Sequence, residues 1–153
     1  MNQINGQILS IDHEGSIALL DIMLGELRLS ATILGEAQTL GLWKVGQQVQ
    51  LQFNEMEVAI AKNLSGHISL RNRLPGTIVA LESGRILTRV RFQMRVAEVD
   101  MLINAVITTR SAKHLQLAVG DQIEGLVKSN EMHVLENPLE HSNAGGGDES
   151  SAH

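Results

Sequence analysis

Leu74-Pro75-Gly76-Thr77-Ile78 repeats the pattern of Ile4-Asn5-Gly6-Gln7-Ile8. Three more landmarks return in the same order. Leu29-Ser30-Ala31-Thr32-Ile33 resembles Ile103-Asn104-Ala105-Val106-Ile107, and Leu42-Trp43-Lys44-Val45-Gly46 resembles Gln116-Leu117-Ala118-Val119-Gly120. Glu55-Met56-Glu57-Val58 matches Glu131-Met132-His133-Val134, so the separation drifts from 70 to 76 residues, as small loop insertions would make it. A period of about seventy residues means tandem domains rather than a solenoid of short units.

Each copy reads mostly as strand. Leu27, Leu29, Ala31 and Ile33 alternate with Arg28, Ser30 and Thr32. Val49, Leu51 and Phe53 alternate with Gln48, Gln50, Gln52 and Asn54, and Val90, Phe92, Met94 and Val96 with Arg89, Arg91, Gln93 and Arg95. Period two sends one set inward and the other to solvent. Gly35–Leu40 and Thr109–Leu115 break the alternation and predict one or two helical turns, with Thr108 or Thr109 as N-cap in the second copy. The expected fold is all-β: two tandem OB-like five-stranded small barrels, each with a short helical turn. The expected boundaries are 1–64, 65–137 and a flexible polar tail over 138–153, where Gly145-Gly146-Gly147 and serines offer nothing to bury.

Composition narrows the function. The chain of 153 residues is 43% apolar yet holds only Trp43, Phe53 and Phe92 as aromatics, so the core must be aliphatic. It has no Cys, which excludes disulfides, thiolate metal sites and Cys catalysis. No apolar run is long enough for a bilayer span, and MNQINGQILS lacks a secretory pattern, so the expected compartment is the cytoplasm. The net charge of −5 is uneven: residues 1–65 hold three basic and seven acidic side chains, residues 66–136 nine and seven. The second copy is the better host for an anion.

Its donors fall in three groups. Ser69-Leu70-Arg71-Asn72 packs a hydroxyl, a guanidinium and a carboxamide at the mouth of a strand. Thr108-Thr109-Arg110-Ser111 opens the helical turn, where backbone N–H groups are free. Lys128-Ser129 sets a cation beside a hydroxyl. Three donor groups without converging carboxylates describe an anion receptor, not an acid–base site. The first copy has Leu34 for Thr108, Ala37 for Ser111, Gln52 for Lys128 and Phe53 for Ser129, and starts too late to match Ser69–Asn72. Turn-forming residues should recur in both copies; these do not.

The elements Ser-x-Arg-Asn, Leu-x-Gly-x-Ile, Val-Ile-Thr-x-x-Ser-Ala-x-x-Leu-x-Leu-x-Val-Gly-Asp and Leu-Val-Lys-Ser resemble a Mop-type TOBE domain over Ile68 to Glu136, and more weakly over Gln3 to Lys62. This is the molybdate-binding module of molbindins, molybdate-responsive regulators and molybdate-importer ATPases. The resemblance implies molybdate or tungstate as bound oxyanion, held by Ser69, Arg71, Asn72, Thr108, Ser111, Lys128 and Ser129 between two such domains. It implies a homo-oligomer, a trimer of tandem chains, with fewer occupied sites because the first copy lacks the ligand set. Hydroxyl and N–H donors can surround a dianion, with a Lys or Arg offsetting part of its desolvation.

Two rivals differ in class. An OB-type nucleic-acid module would use Arg89, Arg91 and Arg95 as a basic stripe, but stacking platforms are lacking, since Phe53 and Phe92 fall on inward faces. An enzyme would need a metal-binding His spacing, paired carboxylates or a phosphate loop, none of which occurs. The ligand-sensing region of an importer ATPase or transcription regulator is the nearer alternative. The expectation is a non-catalytic cytoplasmic oxyanion-binding protein for storage, buffering or homeostasis.

Overall fold

A computed structural model describes residues 1–137; the expected tail over 138–153 lies outside the described residues. The first repeat contributes β1 (Asn2–Glu14), β2 (Ile17–Leu24), β3 (Leu27–Leu34), α1 (Ala37–Leu40), β4 (Gln48–Phe53), a 3-10 turn (Glu55–Glu57) and β5 (Ala59–Ala61). The second contributes β6 (Asn72–Ser83), β7 (Leu87–Val96), β8 (Val99–Thr108), α2 (Thr109–His114), β9 (Gln122–Val127), a 3-10 turn (Ser129–Glu131) and β10 (His133–Glu136). All-β architecture with one short helix per repeat is as the alternation predicts.

The sheets do not follow the chain. Their orders are β10-β4-β1-β2-β3 and β5-β9-β6-β7-β8, each five-stranded. The repeats thus exchange their last strands: β10 adds to β4 with Val134 opposite Leu51, and β5 adds to β9 with Ile60 opposite Gly125. Contacts between β10 and β3, and between β5 and β8, curl each sheet toward closure. Lys62 latches one exchange, its Nζ donating to the carbonyls of Leu115 (3.3 Å) and Gln116 (3.0 Å) and to Asp121 (2.9 Å).

Repetition extends to irregularities. β1 shifts register between Ile8 and Ser10, and β6 between Ile78 and Ala80. A bulge bends a strand, as a small barrel requires. The paired motifs around Gly6 and Gly76 also gain a reason. A Cβ on Gly6 would stand 2.7 Å from Ile22 and 2.9 Å from the Met23 carbonyl; on Gly76, 2.6 Å from Phe92 and 2.7 Å from the Gln93 carbonyl. Only glycine lets the backbones approach so closely.

The registers correct the repeat alignment. Gly6 faces Val49 as Gly76 faces Ile123, and Asn2 faces Phe53 as Asn72 faces Val127. The separation is therefore 70 residues up to β2 and 74 from β3 onward, not 76 at the end. Glu57 then matches Glu131; Lys128 has Asn54, not Gln52, as its counterpart, and Ser129 has Glu55, not Phe53. Similar side chains two positions apart misled the sequence alignment, whereas each 3-10 turn follows its strand at the same distance. The four extra residues lie in the β7–β8 hairpin. It closes through Ala97 (φ 52°) and Glu98 (φ 62°), where β2–β3 closes through Gly25-Glu26. Two consecutive left-handed non-glycine residues cost conformational energy, and Asn-Gly suits such a turn. Replacing Ala97-Glu98 by Asn-Gly is expected to raise stability by about 1–2 kcal/mol, read from urea denaturation.

Phe53, Phe92, Leu20, Ile22, Leu51, Leu74, Ile78 and Met94 are fully buried in a core shared by both repeats. Two asparagines tie the repeats together. Asn72 is 0% exposed; its Oδ1 accepts from Ser30 N–H (2.7 Å) and its Nδ2 donates to the Ser30 carbonyl (2.9 Å). Asn2 does the same to Asn104, at 2.9 and 2.8 Å. The first repeat therefore does supply a counterpart to Asn72.

Candidate oxyanion site

β6 and β9 deliver the first donors. Asn72 pairs with Val127, so the residues just outside that ladder, Arg71 and Lys128, emerge side by side. Both are exposed, and neither has an ion pair or hydrogen bond among the described residues. Ser129 opens the 3-10 turn and shares a hydrogen bond of 2.8 Å with Thr32 of β3. Ser69 is exposed two residues before Arg71. Arg71, Lys128 and Ser129 thus gather where the second repeat meets β3 of the first, with Ser69 two residues upstream of Arg71 in the chain.

Asn72 leaves the ligand set. It is sealed from solvent, and both polar atoms of its side chain engage Ser30. Its place in the Ser-x-Arg-Asn element is that of a clamp.

Thr108 and Ser111 stand elsewhere. Thr108 is the N-cap of α2: its Oγ1 accepts from Ser111 N–H (3.1 Å) and donates to Ser111 Oγ (2.8 Å). Both line a cavity of about 390 Å³ with Met56, Glu57 and Leu87, beside the first repeat's 3-10 turn. Within one chain the two donor sets therefore face different neighbours. Arg71, Lys128 and Ser129 border β3, where Leu34 at its end and Ala37 at the start of α1 stand in place of the second repeat's Thr108 and Ser111. Thr108 and Ser111 border the turn that has Asn54 and Glu55 where the second repeat has Lys128 and Ser129.

Residues that sequence reasoning missed come from the first repeat. Arg71 lines a cavity of about 380 Å³ whose other walls are Asp21, Arg28 and Ser30. Asp21 lies opposite Ser30 in the β2–β3 ladder. Its carboxylate accepts from Ser30 Oγ (2.7 Å), Arg28 (2.6 Å) and Ser10 Oγ (3.1 Å). Burial pushes the Asp21 carboxyl up, but the hydrogen bonds from Arg28, Ser30 and Ser10 outweigh it and leave the group below its ordinary value. The only available signal was the polar outward face of β3, Arg28, Ser30 and Thr32. That the second repeat lays Arg71 against it was not visible.

Glu124 is likewise held low by Arg73, whose guanidinium meets both carboxylate oxygens at 2.8 and 2.6 Å, and Asp121 by Lys62 and the Ala118 N–H. Carboxylates with depressed folded values stabilise the fold above their unfolded values, and that stability is lost as pH falls through the folded ones. Thermal stability is therefore expected to be full above the ordinary carboxylate range and to fall as pH drops below about 4, as thermal melts over an acid series will read.

The basic stripe is engaged internally. Arg89 pairs with Glu55 (3.7 Å), Arg95 with Asp100 (3.8 Å), and Arg91 donates to Asn104 (3.1 Å). Phe53 and Phe92 are fully buried and Trp43 is partly buried against the core, so no run of exposed aromatic side chains is available for base stacking among the described residues. Among the described residues no group of His, Cys, Asp and Glu could hold a metal ion, and no helix is long and apolar enough to cross a membrane.

The stretch that carries Ser69, Arg71, Thr108, Ser111, Lys128 and Ser129 matches a family model over residues 68–134. That model describes the TOBE domain. Over 87 residues the chain is 34% identical to the molybdenum import ATP-binding protein ModC of Brucella abortus (strain 2308), Brucella suis biovar 1 and Brucella melitensis biotype 1. That stretch is 56% of this chain but 23% of those proteins, so the chain matches under a quarter of their length. The whole fold is similar to a crystal structure of the cytoplasmic molybdate-binding protein ModG with molybdate bound. The TM-score is 0.81, at 22% identity, covering 89% of this chain and 96% of that one. The fold of this chain is thus one already seen in a solved structure.

Proposed function

We propose that this chain is a non-catalytic oxyanion-binding protein that takes up molybdate or tungstate in the cytoplasm, for storage, buffering or homeostasis. The observation that carries the reading is the pair of cations Arg71 and Lys128, without partners among the described residues, next to Ser129, with Arg71 lining a polar cavity. A folded chain gains nothing by holding two like charges together without a counterion; a dianion reverses that balance. The similarity to ModG and ModC supplies the anion's identity, molybdate, and tungstate shares its tetrahedral geometry and charge.

The division of donors supports an oligomer. A ring with all of Ser69, Arg71, Lys128, Ser129, Thr108 and Ser111 requires the second repeats of two copies to face each other. Aliphatic side chains exposed at matching positions of both repeats, Leu9 with Val79, Ile17 with Leu87 and Val45 with Val119, offer apolar area for such contacts. A trimer of tandem chains is the assembly we propose. The segments 1–64 and 65–137 act in it as two units that exchange strands, with the first holding no complete donor set.

Titration calorimetry with molybdate, tungstate and sulfate tests the reading. Molybdate and tungstate are expected to bind and sulfate to compete poorly, because fixed donors cannot close on the smaller ion. Lys128→Ala should weaken molybdate by about 1.5–3 kcal/mol, the worth of a charge-assisted hydrogen bond. Equal affinity for sulfate, or an unchanged titration in Lys128→Ala, would reject it. A second reading, the ligand-sensing region of an importer ATPase, is favoured by the ModC identity. A stable trimer by mass measurement speaks for the first reading, a weak dimer for the second.

A further inference from the structure

The cavity entered by Arg71 has a wall that no part of the TOBE segment supplies. Asp21 of β2 and Arg28 and Ser30 of β3 belong to the first repeat, and together with Arg71 they line about 380 Å³. That wall carries one full ion pair, Arg28 to Asp21 at 2.6 Å, with Arg28 60% and Asp21 19% exposed. The Asp21 carboxylate is fixed by three donors. Arg28 offers Asp21 one terminal nitrogen in that bond, so most of its five N–H donors remain available. The cavity is therefore bordered by two guanidiniums and one carboxylate. The second repeat does not repeat this arrangement, since the positions matching Asp21 and Arg28 hold Arg91 and Leu102.

We propose that Asp21 and Arg28 are specificity-determining residues of the oxyanion site, acting with opposite sign: Arg28 supports the bound dianion and Asp21 opposes it. The inference rests on the oxyanion reading of the Arg71 corner and names first-repeat residues that regulate it. Without Asp21, the lining would bear two positive charges and retain any small dianion strongly. With it, the lining bears one, and occupancy depends on the donors contributed by Lys128 and Ser129 as well. Selectivity then arises from geometry rather than from bulk charge, because the charge alone is too small to hold an ill-fitting anion. The first repeat, stripped of its own ligand set, acts as the tuning half of its neighbour's site.

The test compares Asp21→Asn, Arg28→Gln and the double variant, in the full chain, by titration with molybdate and with sulfate. Asparagine keeps the size of the side chain and one acceptor oxygen, enough for Ser30, while its amide nitrogen replaces the oxygen that accepted from Arg28 and Ser10; Arg28 is exposed enough for replacement without a cavity. Far-UV circular dichroism and Trp43 fluorescence verify the fold of each. Asp21→Asn is expected to bind molybdate roughly three- to tenfold more tightly and to admit sulfate, Arg28→Gln to bind roughly three- to tenfold more weakly, and the double variant to return near wild type. A brace whose loss merely loosened the site would weaken binding in both single variants. That outcome, or no change in either, overturns the proposal while wild-type binding keeps the oxyanion reading intact. If Asp21→Asn does not fold, Arg28→Gln decides alone: binding at wild-type strength rejects the proposal. Absence of molybdate binding in the wild type overturns both.

Discussion

Asn72→Ala is expected to destabilise the fold by about 2–6 kcal/mol. The residue is fully buried, and its carboxamide satisfies both the N–H and the carbonyl of Ser30, which is itself buried. Alanine removes the one side chain that serves both groups, so the N–H and the carbonyl of Ser30 in β3 lose these hydrogen bonds inside the protein. Each such group costs about 1–3 kcal/mol. The clamp also joins β6 of one repeat to β3 of the other, so its loss loosens the contact that brings Arg71 to Ser30. Urea denaturation followed by Trp43 fluorescence reads the first effect. Asn72→Asp keeps the acceptor but buries a charge, and should be at least as damaging. Stability within 0.5 kcal/mol of wild type in Asn72→Ala would show that the amide is dispensable.

The largest effect on binding is expected from removing both free cations. Arg71 and Lys128 adjoin across the β6–β9 ladder and have no partner among the described residues. Each charge-assisted hydrogen bond is worth about 1.5–3 kcal/mol, so Arg71→Ala/Lys128→Ala should lose about 3–6 kcal/mol, more than a hundredfold in molybdate affinity. The loss arises because the anion's desolvation is then opposed only by neutral donors. Since neither side chain braces the fold, the double variant should melt as wild type does, or slightly higher, because two neighbouring like charges are gone. Retained affinity within tenfold of wild type would move the site away from this corner. A fall in melting temperature of more than a few degrees would mean that these cations serve the fold instead.

Which parts of this were legible in the linear chain follows from the kind of interaction involved. Strands such as Val90–Val96 and Val49–Phe53 announce themselves because period-two alternation is local, and the burial of Phe53 and Phe92 follows it residue by residue. The cap at Thr108 was readable for the same reason, since the bond to Ser111 N–H spans three residues. The alignment of the last repeated motif was not, because Glu-Met pairs at two spacings look alike while only the strand register distinguishes them. Asn72 shows a subtler limit. Its position in a donor-rich motif pointed to a ligand, but a carboxamide is equally a partner for backbone, and only burial tells which.

Alternation, paired glycines and recurring landmarks were enough to establish two similar all-β units, an aliphatic core and a second unit rich in anion donors, since each depends on chemistry within a few neighbouring residues. The strand exchange, the Asn2 and Asn72 clamps, the separation of Thr108 and Ser111 from Lys128 and Ser129, and the placing of Asp21 and Arg28 beside Arg71 were decided only by tertiary structure. Those pairings join residues some 40 to 100 positions apart. At such distances the energy lies in which surfaces meet, and no local pattern of side chains records that.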